Sequence, residues 1–370
     1  MSDLLDEAAC RQLARLLLAH YDREGRDLPW RRTRDPYSIW VAEIMLQQTG
    51  VKTVLPYHAR FLERFPTLEA LSDSSLEEVL AIWQGLGYYR RARHLHAAAR
   101  MVTGELGGRF PDTLESLATL PGIGPSTAGA ILAIAFGQHQ AILDGNVKRV
   151  LARLVALEML PDSTPGRRLL WDLARRLTPR DRPGDYAQAI MDLGAVVCTP
   201  RQPQCVSCLW QTWCMAWKSG DPERYPLRQT KAPKPRKYQF QALVLRPDGR
   251  VLLVSKEDAT LLGGLWHLPG EEPGFLASPP EYERVRRHLA EQFGIRVVQP
   301  TLLEPVTHIF THFHLTVFPF LCPWLEGEPP ESAGARWIDW RQDRRTPLST
   351  LHRKVLARLS GGDDRVGQPA

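Results

Sequence analysis

The chain has 370 residues, 44% of them apolar and 24% charged, an ordinary globular composition that excludes a largely disordered protein. This length exceeds the ~250–300 residues that a single hydrophobic core supports, so two domains are expected. Lys and Arg outnumber Asp and Glu by 47 to 41, a net charge of +6 that suits a nucleic-acid partner without specifying one.

The N-terminus, MSDLLDEAAC, is acidic and breaks its apolar run early, which is not the pattern of a secretory signal. The longest stretch of apolar residues and glycine runs from Ala128 to Gly137, ten residues where a membrane span needs about 20. A soluble protein that stays in the compartment of its synthesis is expected, with no membrane partner.

Apolar residues then recur at helical spacing: Leu13, Leu16, Leu17 and Tyr21; Leu76, Val79, Leu80 and Trp83; Val147, Val150, Leu151 and Leu154. Phe65-Pro66, Leu120-Pro121-Gly122 and Thr178-Pro179 punctuate the helices. Within Tyr37–Thr49, Glu43 follows Ile39 by four residues and Trp40 by three, and precedes Leu46 by three. Helical geometry puts its carboxylate on an apolar face. Desolvation there favours the neutral form and raises the pKa, as a general acid requires. The structural alternative is a buried Glu paired with an Arg such as Arg31.

In LPGIGPSTAGAIL (Leu120–Leu132), Gly122 and Gly124 give a tight turn at positive φ before a helix of small residues. Amides turned outward at such a helix start bind a phosphate without reading its base. Further on, Asp144 stands at an N-cap position before the Val147 stripe. Backbone N–H groups and the positive helix end are expected to keep it ionised. A protonated Glu and an ionised Asp are the pair that glycosidic chemistry uses.

Cys198, Cys205, Cys208 and Cys214 follow as Cys-x6-Cys-x2-Cys-x5-Cys, with Cys10 and Cys322 far away. Four thiolates closing so tight a loop read as a metal site, Zn(Cys)4 or a four-iron cluster. From Lys218 to Lys237 there are seven basic residues, Asp221, Glu223 and four prolines, a composition that reads as an extended linker. Beyond it the period changes to that of strands. Gln239–Leu245 and Val251–Val254 flank Arg246-Pro-Asp-Gly249, a hairpin turn; His314–Leu321 is a further strand and Glu281–Phe293 a helix. The expected division is 1–217, 218–237 as linker, 238–359, and a frayed tail over 360–370.

LPGIGPSTAGAIL, ILDGNVKRVLARL and the cysteine spacing together resemble the endonuclease III superfamily of helix–hairpin–helix DNA glycosylases. WVAEIMLQQT, GLGYYRRARHLH (Gly85–His96) and HIFTHFHL (His308–Leu315) narrow the resemblance to the adenine DNA glycosylase (MutY) family. It implies an α-helical helix–hairpin–helix glycosylase domain with an Fe–S cluster loop, plus a C-terminal α+β Nudix-like domain. It further implies a [4Fe–4S] cluster on Cys198, Cys205, Cys208 and Cys214, and a monomer, cytoplasmic and nucleoid-associated if bacterial. The partner would be duplex DNA carrying an 8-oxoguanine:adenine or guanine:adenine mispair.

The same resemblance assigns the catalytic set Glu43, Asp144, Asn146 and Ser126. Ser126 stands where bifunctional relatives carry a Lys nucleophile, and a hydroxyl cannot form the imine that precedes strand cleavage. Trp30, Arg31, Leu46, Val51 and Gln188 would line the adenine pocket. Gln48, Thr49, Leu86, Tyr88, Gly122 and Gly124 would meet DNA, and Phe310, Thr311 and His312 the lesion. In the second domain, Gly264–Gly270 resembles the start of a Nudix box. Its helix, Arg287-His-Leu-Ala-Glu291-Gln-Phe-Gly294, keeps one carboxylate of three, too few oxygen ligands for Mg2+. Two other functions compete: a bifunctional glycosylase/lyase on oxidised pyrimidines, and a non-enzymatic Fe–S DNA-binding or redox protein.

Overall fold

The computed structural model describes residues 5–229, 232–255, 262–275, 277–331, 334–343 and 345–362. The chain folds as two units, Met1–Asp73 with His94–Lys231, and Ser74–Arg93 with Ala232–Ala370. Segment 74–93 therefore groups with the later part of the chain, which helical periodicity by itself does not reveal.

The first unit is helical: α1 (Glu7–Glu24), α2 (Pro36–Leu46), α3 (Val51–Arg64), α4 (Leu68–Ser72), then α6 (Arg90–Glu105), which begins in the other unit, α7 (Leu114–Ala118), α8 (Pro125–Phe136), α9 (Gly145–Leu154), α10 (Thr164–Leu177), α11 (Pro183–Asp192) and α12 (Met215–Lys218). Helix α8 is the central one. Ala128 to Ile134 are all buried, because α2 and α11 cover it from different sides. That explains its uniformly apolar sequence, since a helix covered all round shows no amphipathic stripe. Asp6, Asp35, Thr67, Thr113, Asp144 and Ser163 cap helices by accepting backbone N–H groups, which places the helix starts where polar residues interrupt the apolar pattern.

The expected linker is only partly extended. Tyr225 is buried in the first unit, its carbonyl accepting from Arg153 Nε at 2.9 Å, and Arg224 pairs with Glu158. Burying an aromatic ring outweighs the charge repulsion that would extend this stretch.

The second unit opens with α5 (Leu76–Trp83), capped by a Ser75–Glu78 capping box. Its sheet contains β1 (Arg236–Leu245), β2 (Val251–Ser255), β3 (Trp266–His267), β4 (Arg296–Val297), β5 (Thr301–Leu302), β6 (Val306–Ile309), β7 (His314–Glu326) and β8 (Ala335–Ile338), with α13 (Tyr282–Phe293) and α14 (Thr350–Leu356). The path is β3-β2-β1-β7-β4, with β5 and β6 also on β7 and β8 on β2. Strand β1 runs parallel to β7 from Arg236↔His314 to Leu245↔Pro323, and antiparallel to β2 through the expected hairpin, where Gly249 has φ +83°. Phe240, Ala242 and Val244 pack with α13 on one face, while Leu243 packs with α14 on the other. Burial of both faces matches the unbroken apolar stretch Ala242–Leu245 at the end of β1. The described residues end in a 3-10 turn over Ala357–Gly362, where a frayed tail is expected from 360; the remaining tail residues lie outside the described ones. Among the described residues no helix is long and apolar enough to cross a membrane.

Candidate active site and cluster loop

A cavity of about 410 Å³ opens in the first unit, within the range of small-molecule sites. Glu43 and Leu46 reach it from α2, Val51 and Lys52 from α3, Asp144 and Asn146 from the start of α9, Gln188 and Met191 from α11, and Trp30 and Arg31 from the turn before α2. Thr49 also lies on its wall. All five expected adenine-pocket residues meet here, together with three of the four expected catalytic ones. Sequence reasoning missed Arg26, Leu28, Ile39, Gly50, Lys52, Ile134, Met191 and Ala195, apolar or basic residues whose convergence only the tertiary fold reveals.

Glu43 borders the opening, but its carboxyl lies deep enough that burial pushes its pKa up to about 7. Asp144 reinforces the rise by repulsion and Arg31 opposes it. The alternative of a Glu43–Arg31 ion pair does not occur: both guanidinium nitrogens of Arg31 donate to Asp192, each at 2.7 Å. Trp30 is buried, edge-on to the buried His58 ring at 5.1 Å.

Asp144 caps α9 as expected, accepting from Val147 N–H at 2.7 Å. Its pKa nevertheless moves up from the ordinary carboxylate value. Burial is the largest cause, and it outweighs the Val147 and Asn146 amides and the charges of Arg149 and Lys148. Asn146 accepts from Arg149 Nη2 at 2.9 Å and packs where Gly194 has no side chain; a Cβ on Gly194 would meet Asn146 Cβ at 2.7 Å. Ser126 is not part of the cavity wall. Its hydroxyl accepts the Leu143 N–H at 2.9 Å, one residue before Asp144.

The expected helix–hairpin–helix lies between α7 and α8. Gly122 has φ +82°, and a Cβ there would meet His94 Cβ at 2.9 Å, so both the turn and the close approach demand glycine. Gly124 differs from expectation. It is the N-cap of α8 with φ −94°, extended backbone open to any residue, with free space where a Cβ would stand. Gln48 is exposed at φ +58°, and in the second unit Tyr88 is 46% exposed at φ +50°. Non-glycine residues held there carry a backbone cost that the surrounding fold sustains, as Ala156 and Gln202 also do. Leu86, expected to meet DNA, is 5% exposed and so buried in this structure. Also in the second unit, Phe310 is half-buried, edge-on to His308 (4.6 Å) and tilted against Phe313 (4.9 Å), while Thr311 and His312 are exposed at the tip between β6 and β7.

Cys198, Cys205, Cys208 and Cys214 line one small cavity between a π-helical turn (Leu193–Val197) and α12, and none is in a disulfide. Two buried arginines of α9 hold this loop. Arg149 Nε donates to Cys198 O at 2.8 Å; Arg153 Nη1 donates to Thr199 O at 2.6 Å and lies 3.4 Å from Cys198 Sγ. Among the described residues no three such ligands converge tightly enough for a single ion.

A family model for HhH-GPD superfamily base excision DNA repair proteins matches residues 41–176, and a NUDIX domain model matches residues 241–358. The chain is 38% identical to the adenine DNA glycosylase of Rattus norvegicus, over 96% of this chain and 78% of that one. The chain belongs to the adenine DNA glycosylase family. The Homo sapiens adenine DNA glycosylase is 36% identical over 93% of this chain and 73% of its own length. Among solved structures, a thermostable thymine-DNA glycosylase superposes with a TM-score of 0.52 at 29% identity, covering 57% of this chain and 97% of that one. An endonuclease III–DNA covalent intermediate superposes at TM-score 0.51 and 22% identity, over 58% of this chain and 99% of that one, a likeness of fold. Within the adenine DNA glycosylase family this chain's helical unit thus carries a cavity on which two carboxylates, Glu43 and Asp144, meet.

Proposed function

We propose that the protein hydrolyses the N-glycosidic bond of adenine mispaired with 8-oxoguanine or guanine in duplex DNA, as a base-excising enzyme that does not cut the strand. The observation that carries this reading is the meeting of Glu43 and Asp144 on one cavity, with Glu43 poised near pH 7. Adenine must leave the stack to reach it, at a cost of a few kcal/mol. Glu43 gives its proton to adenine N7, so the bond electrons leave with a neutral base. Asp144, served by two backbone N–H groups with Arg149 and Lys148 nearby, stands as the anion beside the developing oxocarbenium. Water adds to the sugar carbon and its proton returns to the Glu43 carboxylate. Ser126 offers no amine for an imine, and its hydroxyl is engaged with Leu143.

The four thiols fit a [4Fe–4S] cluster. They line one cavity, and soft thiolates suit an iron–sulfur cluster. Cys198, Cys205, Cys208 and Cys214 would hold it, and the cluster would fix the fold of the loop that α9 supports. Phe310, Thr311 and His312 are proposed to read the 8-oxoguanine. The proposed organisation is a glycosylase domain over 1–217, a linker over 218–237 and a lesion-recognition domain over 238–359.

A duplex with 8-oxoguanine opposite adenine tests the reading. Breaks that form only after alkali are expected. Breaks without alkali would support a lyase, and intact strands after alkali a non-enzymatic binder. Glu43→Gln is expected to lose at least the ~10²–10⁴-fold that general acid catalysis contributes, with duplex binding retained in a gel-shift assay. Single-turnover excision is expected to fall as pH rises through about 7, where Glu43 loses its proton.

A further inference from the structure

Asp192, at the end of α11, is not part of the cavity wall, yet it is 8% exposed and charged. Its carboxylate accepts from Arg31 Nη1 and Nη2, each at 2.7 Å, and from Arg26 Nε at 2.8 Å, Nη2 at 2.5 Å and backbone N–H at 3.3 Å. Arg31 is further fixed by the carbonyls of Arg26 (3.1 Å) and Gln188 (3.4 Å) and lies over the Tyr21 ring at 5.5 Å. We propose that Asp192 is a positioning residue: it holds Arg31 in a two-pronged ion pair, so that the guanidinium shapes the cavity without drawing Glu43 into an ion pair of its own. The inference rests on the acid role assigned to Glu43 above.

The charges around these groups are few. Glu43 faces Asp144 from the start of α9 and Arg31 from the preceding turn, and Arg26 and, from α3, Lys52 stand on the same wall. Lys148 and Arg149 face Asp144. Asp192 faces Arg26 and Arg31, with Tyr21 of α1 beside them; on the neighbouring surface Arg182 is engaged by Asp22 and Asp185. Helix α8, packed against both α2 and α11, has no ionisable side chain. Burial and Asp144 hold the proton on Glu43, Arg31 is the cation that works against them, and Asp192 governs how much of that charge Glu43 feels. Arg26 competes for the same carboxylate.

The experiment is the pH dependence of single-turnover excision with the full-length protein. In Asp192→Asn, Arg31 loses its counter-charge, and the alkaline limb is expected to move down by ~1 unit or more, the range that an adjacent cation imposes on a carboxyl group. Asp192→Glu is expected to restore the wild-type midpoint, and Arg31→Gln added to Asp192→Asn to return it upward. Arg26→Gln leaves Asp192 wholly to Arg31, so its midpoint is expected to stay or move up. An Asp192→Asn midpoint equal to wild type with only a lower Tm would overturn the inference in favour of a structural role. If Asp192→Asn does not fold, a downward shift in Arg26→Gln overturns it equally. A wild-type protein that releases no adenine would instead remove the acid role itself.

Discussion

Glu43 is destabilised as an anion by the same wall that makes it an acid. The folded chain raises its pKa from 4.5 to about 7, chiefly through burial. The native state therefore keeps a proton that the unfolded chain releases across that interval, so this group's contribution to stability falls as pH rises from about 4.5 to about 7. Glu43→Gln keeps the shape and removes the charge. Its Tm is expected to exceed that of wild type at about pH 8, with the gap closing at about pH 4. Equal gaps at both would show that ionisation of Glu43 does not matter to folding. Glu43 is legible in the sequence because Ile39, Trp40 and Leu46 surround it at helical spacing. Asp192 is not: it sits in the apolar run MDLGAVV, and its partners Arg31 and Arg26 lie 161 and 166 residues away in sequence. No local pattern signals a pair made at that separation.

Helix α9 shows how one element ties two sites together. Asp144 and Asn146 at its start face the cavity, while Arg149 and Arg153 further along it reach the cysteine loop. The apolar stripe Val147, Val150, Leu151 and Leu154 announces this helix plainly, and the buried face is the one it predicts. The arginines Arg149 and Arg153 between the apolar positions are both buried, because loop carbonyls take the place of water. Arg153 donates to Tyr225 O, Thr199 O and Pro200 O as well as approaching Cys198 Sγ. Removing it leaves buried acceptors unpaired, each at a cost of about 1–3 kcal/mol. Arg153→Met is expected to lower both the Tm and the iron bound per chain, read by iron assay and visible absorbance. An unchanged iron content would mean that the loop folds around its cluster without α9.

At the scale of the whole chain, the change of period near residue 238 divides helical from mixed architecture, and it is visible because helices and strands place apolar residues differently. What periodicity leaves out is the grouping of Ser74–Arg93 with the second unit. There Glu77 accepts from Trp266 Nε1 at 3.1 Å and Arg336 Nη1 at 2.8 Å, and Arg93 Nη1 donates to Gly263 O at 2.7 Å. Cutting the chain after Lys231 would strip these partners from α5, so a truncated protein is expected to lose Tm as well as lesion preference. That makes it a poor test of recognition. A cleaner one lies at the tip between β6 and β7. Lys234 Nζ donates to Phe310 O at 3.1 Å and Lys237 lies over the Phe313 ring at 4.9 Å, so the loop is held from below by residues that the sequence presents as linker. Thr311 and His312 project from this base. His312→Ala in the full-length protein removes an exposed side chain, and its Tm is expected to stay within the ±0.5 kcal/mol equivalent of a surface substitution. Its preference for 8-oxoguanine over guanine opposite adenine is expected to fall more than its adenine excision opposite guanine. A variant that loses both rates in proportion would give the tip a general binding role and leave recognition of the lesion to other residues.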